Sequence, residues 1–249
     1  MRYFDAHNHL QNYASAAGLA GALAAASAAG GMLCCATRPG DWRRVLEISA
    51  GDKRIIPCLG VHPWFSAEAA LGWLEALEAA LLGAPSCVGE IGLDGARPAP
   101  GQEEIFRAQL GLAKKLGRPS VIHCVKSWGR LAAVLKEARP GAFMLHSYGG
   151  PPELVKDLAA LGGYFSFSGE LTGTGRKKMR AALAAVPRGR LLFETDSPAP
   201  GAESWRAGPA GIVGVVAAAA AVLGVPAGEL AELSYNNGRA FAGRQGRSL

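Results

Sequence analysis

No two cysteines in this sequence stand at C-x-x-C spacing, no apolar run reaches the length of a membrane span, and acids are outnumbered by bases. Each shortage excludes something. The five cysteines are Cys34, Cys35, Cys58, Cys87 and Cys124; four sit inside short apolar runs, and Cys124 follows a histidine at the end of one. An odd count in would-be strands argues for buried, reduced thiols rather than a disulfide framework or a zinc ribbon. Charged residues make up only 18% of the 249 and hydrophobic ones 49%, which rules out a disordered chain and allows a large core. The uncharged stretch 14–31 follows Asp5 and lacks the basic segment that opens a signal peptide. The run 210–225 lies between Pro209 and Pro226, is rich in Ala and Gly, and falls short of the roughly 18–20 residues a bilayer requires. Both read as packed helices of a cytoplasmic protein that makes no membrane contact. Lys plus Arg exceed Asp plus Glu by 26 to 20, for a net charge of +6. That balance suits a polyanionic partner such as nucleic acid without requiring one.

What is present is alternation. Apolar runs of strand length at 3–6, 32–36, 55–61, 88–93, 120–124, 143–146, 164–168 and 191–195 are separated by longer helix-like stretches. The stretch 67–82, AEAALGWLEALEAALL, keeps its charges to one side and predicts one helix. Residues 102–116, QEEIFRAQLGLAKKL, carry acids in the first turn and lysines in the last, with Gly117 as a stop. Runs that are continuously apolar predict parallel strands covered on their outer face. Eight strand–helix pairs in one chain of this length predict an α/β fold, a single-domain (β/α)8 TIM barrel over 1–249, with 243–249 as a loose tail.

Histidine is scarce too, and its placement is the most informative feature of the chain. All five, His7, His9, His62, His123 and His146, lie at or just after the ends of the first, third, fifth or sixth predicted strands. Glu90 in VGEIGLD takes the same kind of place on the fourth strand, and Asp196 in LLFETDSP follows the eighth. All strand carboxyl ends of a barrel meet on one face, so residues as distant as His7 and Asp196 converge on one pocket. Singly, a strand-end histidine is more often a hydrogen-bonded structural group, and an Asp before Ser-Pro a helix cap or turn residue. Structural roles would scatter the histidines over helices and strand starts, and none is found there. Imidazole and carboxylate donors suit zinc, manganese, iron or nickel, and magnesium where carboxylates dominate. Six ligands drawn from these seven residues exceed one tetrahedral ion and suit two ions sharing a bridging carboxylate, roughly 3.5–4 Å apart, as in hydrolytic displacements.

The segments FDAHNHL, LGVHPW, VGEIGLD, QEEIFRAQLGLAKKLGRPSVIHC, MLHSYGG, YFSFSGEL, LLFETDSP and ELAELSYNNGRAFAG resemble, in that order, the successive motifs of the TatD family of metal-dependent hydrolases. The resemblance runs from about Phe4 to Gly243. It implies a TIM barrel holding one or two divalent ions (Zn, Mg or Mn). It also implies a deoxyribonuclease, often a 3′-to-5′ exonuclease, or else a deacylase of D-aminoacyl-tRNA, as some relatives are. Carried over, His7 and His9 would bind the first metal, Glu90 would bridge, and His123 and His146 would bind the second. Asp196 would hold the first metal and handle the nucleophilic water. His62 matches a pocket histidine assigned to the scissile phosphate or leaving group. Asn8 is expected to point away from the pocket.

Some positions depart from the family pattern. Gly95 follows GLD where an aromatic is common, Val125 and Lys126 follow IHC where an Arg is common, and WRAGP stands where Arg-Asn-x-Pro is usual. The ligand positions are intact, so these departures bear on the substrate. Trp64, Trp128, Tyr148 and Trp205 follow strand-end motifs by two to nine residues and are expected around the pocket mouth, where stacking a base contributes about 1–3 kcal/mol. Lys126 and the GRKKMR segment, with Arg176, Lys177, Lys178 and Arg180, would add a basic face toward single-stranded DNA or, alternatively, aminoacyl-tRNA. Amidohydrolases that bridge two metals with a modified Lys on strand four are a rival reading, but strand four here carries Glu90 and no Lys. A histidinol-phosphatase-like enzyme would share the H-x-H, and GEIGLD and TDSP argue against it. A catalytically silent binding module would have lost ligands, and none is lost.

Overall fold

The computed structural model describes residues 1–199 and 206–243. Eight strands form one parallel sheet in sequence order: β1 (Tyr3–Asn8), β2 (Ala29–Cys35), β3 (Ile55–Leu59), β4 (Cys87–Asp94), β5 (Ser120–Val125), β6 (Phe143–Leu145), β7 (Gly163–Phe167) and β8 (Leu191–Phe193). The helices between them are α1 (Ala16–Ala25), α2 (Trp42–Gly51), α3 (Trp73–Gly83), α4 (Gln102–Lys115), α5 (Trp128–Ala138), α6 (Leu154–Ala160) and α7 (Lys177–Ala185). After β8 come α8 (Ile212–Leu223) and α9 (Ala227–Ala242). The expected TIM barrel is the observed one. No single helix among the described residues is long and apolar enough to cross a membrane.

Two expectations change. The single helix over 67–82 breaks in two: Pro63–Glu68 winds as a 3-10 turn, and α3 starts only at Trp73. Gly72, at φ +83°, takes a left-handed conformation that no helix interior accommodates. The eight pairs are followed by α9, a helix beyond the strict alternation. It inserts Phe241 into the inner cluster with Phe4 and Tyr164. The approach is close enough that a Cβ on Gly238 would stand 2.3 Å from the Phe4 ring.

The core has two layers. Phe4, Ala6, Leu33, Cys35, Cys58, Cys87, Val121, Met144, Tyr164 and Leu192 fill the barrel, while a larger apolar shell lies between strands and helices. All five cysteines are buried, as the sequence implied, and burial pushes the Cys34, Cys35 and Cys124 thiols up to about 12.

Two irregularities position the site. Between Asp5↔Met32 and Asn8↔Cys34, β1 advances three residues while β2 advances two, and β4 does the same against β5 between Val88↔Ser120 and Ile91↔Ile122. An extra residue in a strand reverses which side chains face inward. Ala6 lies in the barrel filling, yet the next residue, His7, also reaches the cluster on the inner face. Gly89 sits against Val121 of the filling, yet Glu90 is also turned inward. The barrel closes at this same end. Asp196 N–H donates to His7 O (2.9 Å), His9 N–H donates to Ser197 O (2.7 Å), and the buried Asp5 carboxylate accepts from Thr195 N–H and Oγ1 (2.8 and 2.7 Å).

Candidate metal centre

Glu90 is buried at the middle of the strand ends, and its two oxygens face different partners. Oε2 lies 3.3 Å from His7 Nε2 and 3.5 Å from His9 Nε2. Asp196 Oδ1 completes this set at 3.7 and 3.4 Å from the same nitrogens, which are 3.1 Å from each other. Ligands held 2.0–2.1 Å from a tetrahedral ion stand about 3.4 Å apart, so these spacings match a cage around one divalent cation. Oε1 lies 3.1 Å from His123 Nδ1, 2.9 Å from His146 Nε2 and 3.3 Å from His62 Nε2, and the His123 and His146 nitrogens are 3.1 Å apart. One carboxylate thus faces two imidazole sets.

The far nitrogen of each ring decides what the near one can do, because a neutral imidazole carries its proton on one side only. His9 Nδ1 donates to Cys35 O (2.7 Å), His146 Nδ1 to Glu194 Oε1 (3.3 Å) and His123 Nε2 to Asp94 Oδ2 (3.3 Å). Each of these contacts leaves a lone pair on the nitrogen facing Glu90, the arrangement that metal-binding histidines use. His7 Nδ1 is buried with no hydrogen-bond partner, and its ring stacks on His146 with centroids 4.1 Å apart. His62 is the reverse case: its Nδ1 accepts from Trp64 N–H (3.1 Å), so the proton sits on Nε2 and the ring donates toward Glu90.

Electrostatics follow from this packing. Burial would raise the Glu90 carboxyl, but His62, His146, His7 and His123 outweigh it and hold it well below the usual range. Asp196 is lowered as well, with burial opposed by His9, His7 and His146. Burial lowers His62 below an ordinary histidine, although Glu90 pulls the other way. His146 is raised well above it: burial acts downward and is overcome by Glu90 and Glu194. The donor set is hard carboxylate plus borderline imidazole with two ionised acids, which fits a divalent ion at each face of Glu90.

The cleft above has two lobes that share Trp64, His123, His146, Asp196 and Arg206. The larger, of about 580 Å³, adds Lys126, Trp128 and Arg176; the smaller, of about 290 Å³, adds Thr37, Arg38 and Phe65. Trp64 is 44% exposed, with its indole N–H on Asp94 Oδ2 (2.6 Å) and the Arg97 guanidinium 3.9 Å from its ring centre. Other expected substrate contacts do not hold. Tyr148 is fully buried against Trp128 and Phe165, with its hydroxyl on Pro151 O (2.8 Å), so it is a packing residue rather than part of the rim. Lys177 and Lys178 are exposed in the first turn of α7 and line neither lobe, because the helix turns them outward. Arg180 ties down its own loop through Leu171 O and Gly173 O. Trp205 lies outside the described residues, as does 244–249 of the expected tail. Asn8 turns away as expected and donates to Asp5 Oδ2 (3.0 Å).

Three residues of the site were not singled out from sequence. Asp94 closes GEIGLD and Glu194 opens ETDSP, and period-two alternation from Asp196 back to Glu194 was the available signal. Arg206 donates to Asp196 Oδ2 from ten positions further along the chain, a separation that carries no pattern.

The chain matches, over residues 4–243, the family model described as TatD related DNase. It is 31% identical over 163 residues to an uncharacterized metal-dependent hydrolase, YabD, of Bacillus subtilis, covering 62% of this chain and 63% of that one. It is 38% identical over 151 residues to a 3′-5′ ssDNA/RNA exonuclease, TatD, of Edwardsiella piscicida, covering 56% of each. These matches therefore span less than two thirds of either relative. The crystal structure of the TatD homologue YjjV of Escherichia coli superposes with a TM-score of 0.86 at 27% identity, over 96% of this chain and 97% of that one.

Proposed function

We propose, for a chain that belongs to the family of TatD-related DNases, that it hydrolyses phosphodiester bonds of single-stranded DNA from the 3′ end. The observation that carries this reading is Glu90, whose two oxygens serve two histidine sets whose far nitrogens are, where partnered, bound to acceptors. The exonuclease named among the relatives supports the substrate class.

His7, His9, Glu90 and Asp196 would hold one divalent ion, and Glu90, His123 and His146 a second; Zn, Mg and Mn all suit these donors. Bound there, such ions supply Lewis acidity and an acidified water. The chain's own groups do the rest. Asp196, ionised throughout the neutral range, orients the attacking water through an acceptor oxygen. His62, neutral with its proton on Nε2, donates a hydrogen bond to the leaving oxygen and steadies its developing charge without giving the proton up. Asp94 and Glu194 fix the tautomers of His123 and His146. Trp64, on the wall of both lobes, offers an exposed ring for an unpaired base.

The test is end-labelled single-stranded DNA incubated with purified protein and Mg, Mn or Zn. Expected are shortening from the 3′ end, arrest by EDTA, and loss of at least about a hundredfold in kcat/KM for Glu90→Ala and Asp196→Ala. Activity of either variant within a few fold of the parent, or release of amino acid from D-aminoacyl-tRNA with no nucleotide release, overturns the reading.

A further inference from the structure

Lys126 differs from the other cations of the larger lobe. Arg176 pairs with Glu170 Oε2 (2.8 Å) and Arg206 with Asp196, whereas no acid among the described residues lies within ion-pair distance of Lys126. Its backbone is also unusual. Four non-glycine residues have positive φ among those described, and three of them, Lys126, Ser147 and Asp196, line this lobe; the fourth, Arg139, caps α5. Asp196 belongs to the metal cluster and Ser147 directly follows His146, so their strain accompanies the cluster. Lys126, at φ +51°, has no such neighbour in sequence, and a lysine stays in that region only where its surroundings hold it.

Gly95 is what holds it. The β4–β5 ladder runs out to Asp94↔Val125, and Gly95 N–H continues it by donating to Val125 O (2.8 Å). A Cβ at position 95 would stand 2.9 Å from Lys126 O and 2.8 Å from Ser127 Oγ, so only glycine lets the two loops come this close. Gly95 and Lys126 are both departures from the family pattern, and here they touch. Together they set Lys126 on the wall of the lobe that His123 and His146 also line.

We propose that Lys126 binds the phosphate adjacent to the scissile one, and that Gly95 makes this placement possible. The assignment rests on the phosphodiester reading above. A scissile phosphate belongs at the imidazole and carboxylate cluster; the next phosphate of a polymer meets the lobe wall, where a compact cation with three rotatable donors is without an acid partner. Lys126 therefore sets the preference for a polymer over a one-phosphate diester, and touches none of the reacting atoms.

The test compares a single-stranded oligonucleotide with bis(p-nitrophenyl) phosphate, using metal-loaded parent, Lys126→Ala, Lys126→Gly, Lys126→Arg and Gly95→Ala. Expected for Ala and Gly at position 126 is a fall of about tenfold in the ratio of kcat/KM between oligonucleotide and small diester, carried by KM. Arg should restore most of it. Lys126→Gly should match or exceed the parent Tm, since glycine relaxes the left-handed backbone, which separates lost charge from misfolding. Gly95→Ala should lower the same ratio, and combined with Lys126→Ala should do no more than Lys126→Ala alone. Metal-free Lys126→Ala should bind the oligonucleotide with a salt slope shallower by about 0.7. An unchanged ratio in Lys126→Ala, or equal losses on both substrates, overturns the assignment and leaves the nuclease reading standing. A parent that leaves the oligonucleotide intact with every metal overturns both.

Discussion

His62 and His146 present Nε2 to the same oxygen of Glu90, at 3.3 and 2.9 Å, yet their chemistry differs because of what stands behind each ring. A backbone N–H behind His62 keeps its proton toward the pocket, and a carboxylate behind His146 keeps its lone pair there. His62→Ala should therefore retain its metal while kcat falls by about a hundredfold or more. Glu194→Gln should instead weaken metal affinity by roughly 10–100-fold. Metal content after dialysis against buffered metal, set beside kcat, separates the two, and metal loss in His62→Ala would make His62 a ligand. Strand-end placement alone treats all five histidines alike, and in the sequence only the family resemblance sets His62 apart from the four candidate ligands. That division depends on the partners of the far nitrogens, which come from other strands.

At the scale of elements, strand ends were legible from apolar runs, and helix α4 from acids at its start and lysines at its end. Harder to read were the extra residues in β1 and β4, since a bulge leaves no mark in an apolar pattern and shows only against the neighbouring strand. The surface strap between α4 and α5 is another tertiary product. Glu103 accepts from Arg107 Nε (2.8 Å) and from Arg130 (2.5 Å). Arg130 first, and then Arg107, draw its carboxyl from 4.5 down to about 2. A carboxyl lowered on folding stabilises above its unfolded pKa and loses that effect as pH falls through the folded one. Glu103→Gln should therefore destabilise by no more than about 1 kcal/mol at neutral pH, because the pair is partly exposed. The difference should fade between pH 4.5 and about 2, as thermal melts of both proteins across that range would show.

For the whole molecule, the candidate metal cluster and the closure of the barrel coincide. Candidate ligands come from β1, β4, β5 and the ends of β6 and β8, and the hydrogen bonds joining β8 to β1 run through His7, His9 and Asp196 themselves. Ions bound there would tie the first strand to the last. At a thousand times Kd a native-state ligand adds about 4 kcal/mol, which for a chain of this size shifts Tm by roughly 10 °C. Chelation should lower Tm by that order, with the metal-free protein still folded because the apolar filling and the Asp5–Thr195 contacts remain. A melt unchanged by EDTA in protein shown to carry metal would contradict this link.

The sequence by itself determined the barrel, the burial of the cysteines, and the convergence of His7, His9, Glu90, His123, His146 and Asp196 on one face. Those features depend on local periodicity and on residue type at strand ends, which a linear chain displays directly. Only the tertiary structure decided that Glu90 divides its oxygens between two sets, that His62 carries its proton inward, that Tyr148 is buried, and that Gly95 and Lys126 meet. Each of these is set by a contact between strands or loops far apart in sequence, where angstroms and hydrogen-bond direction determine the chemistry.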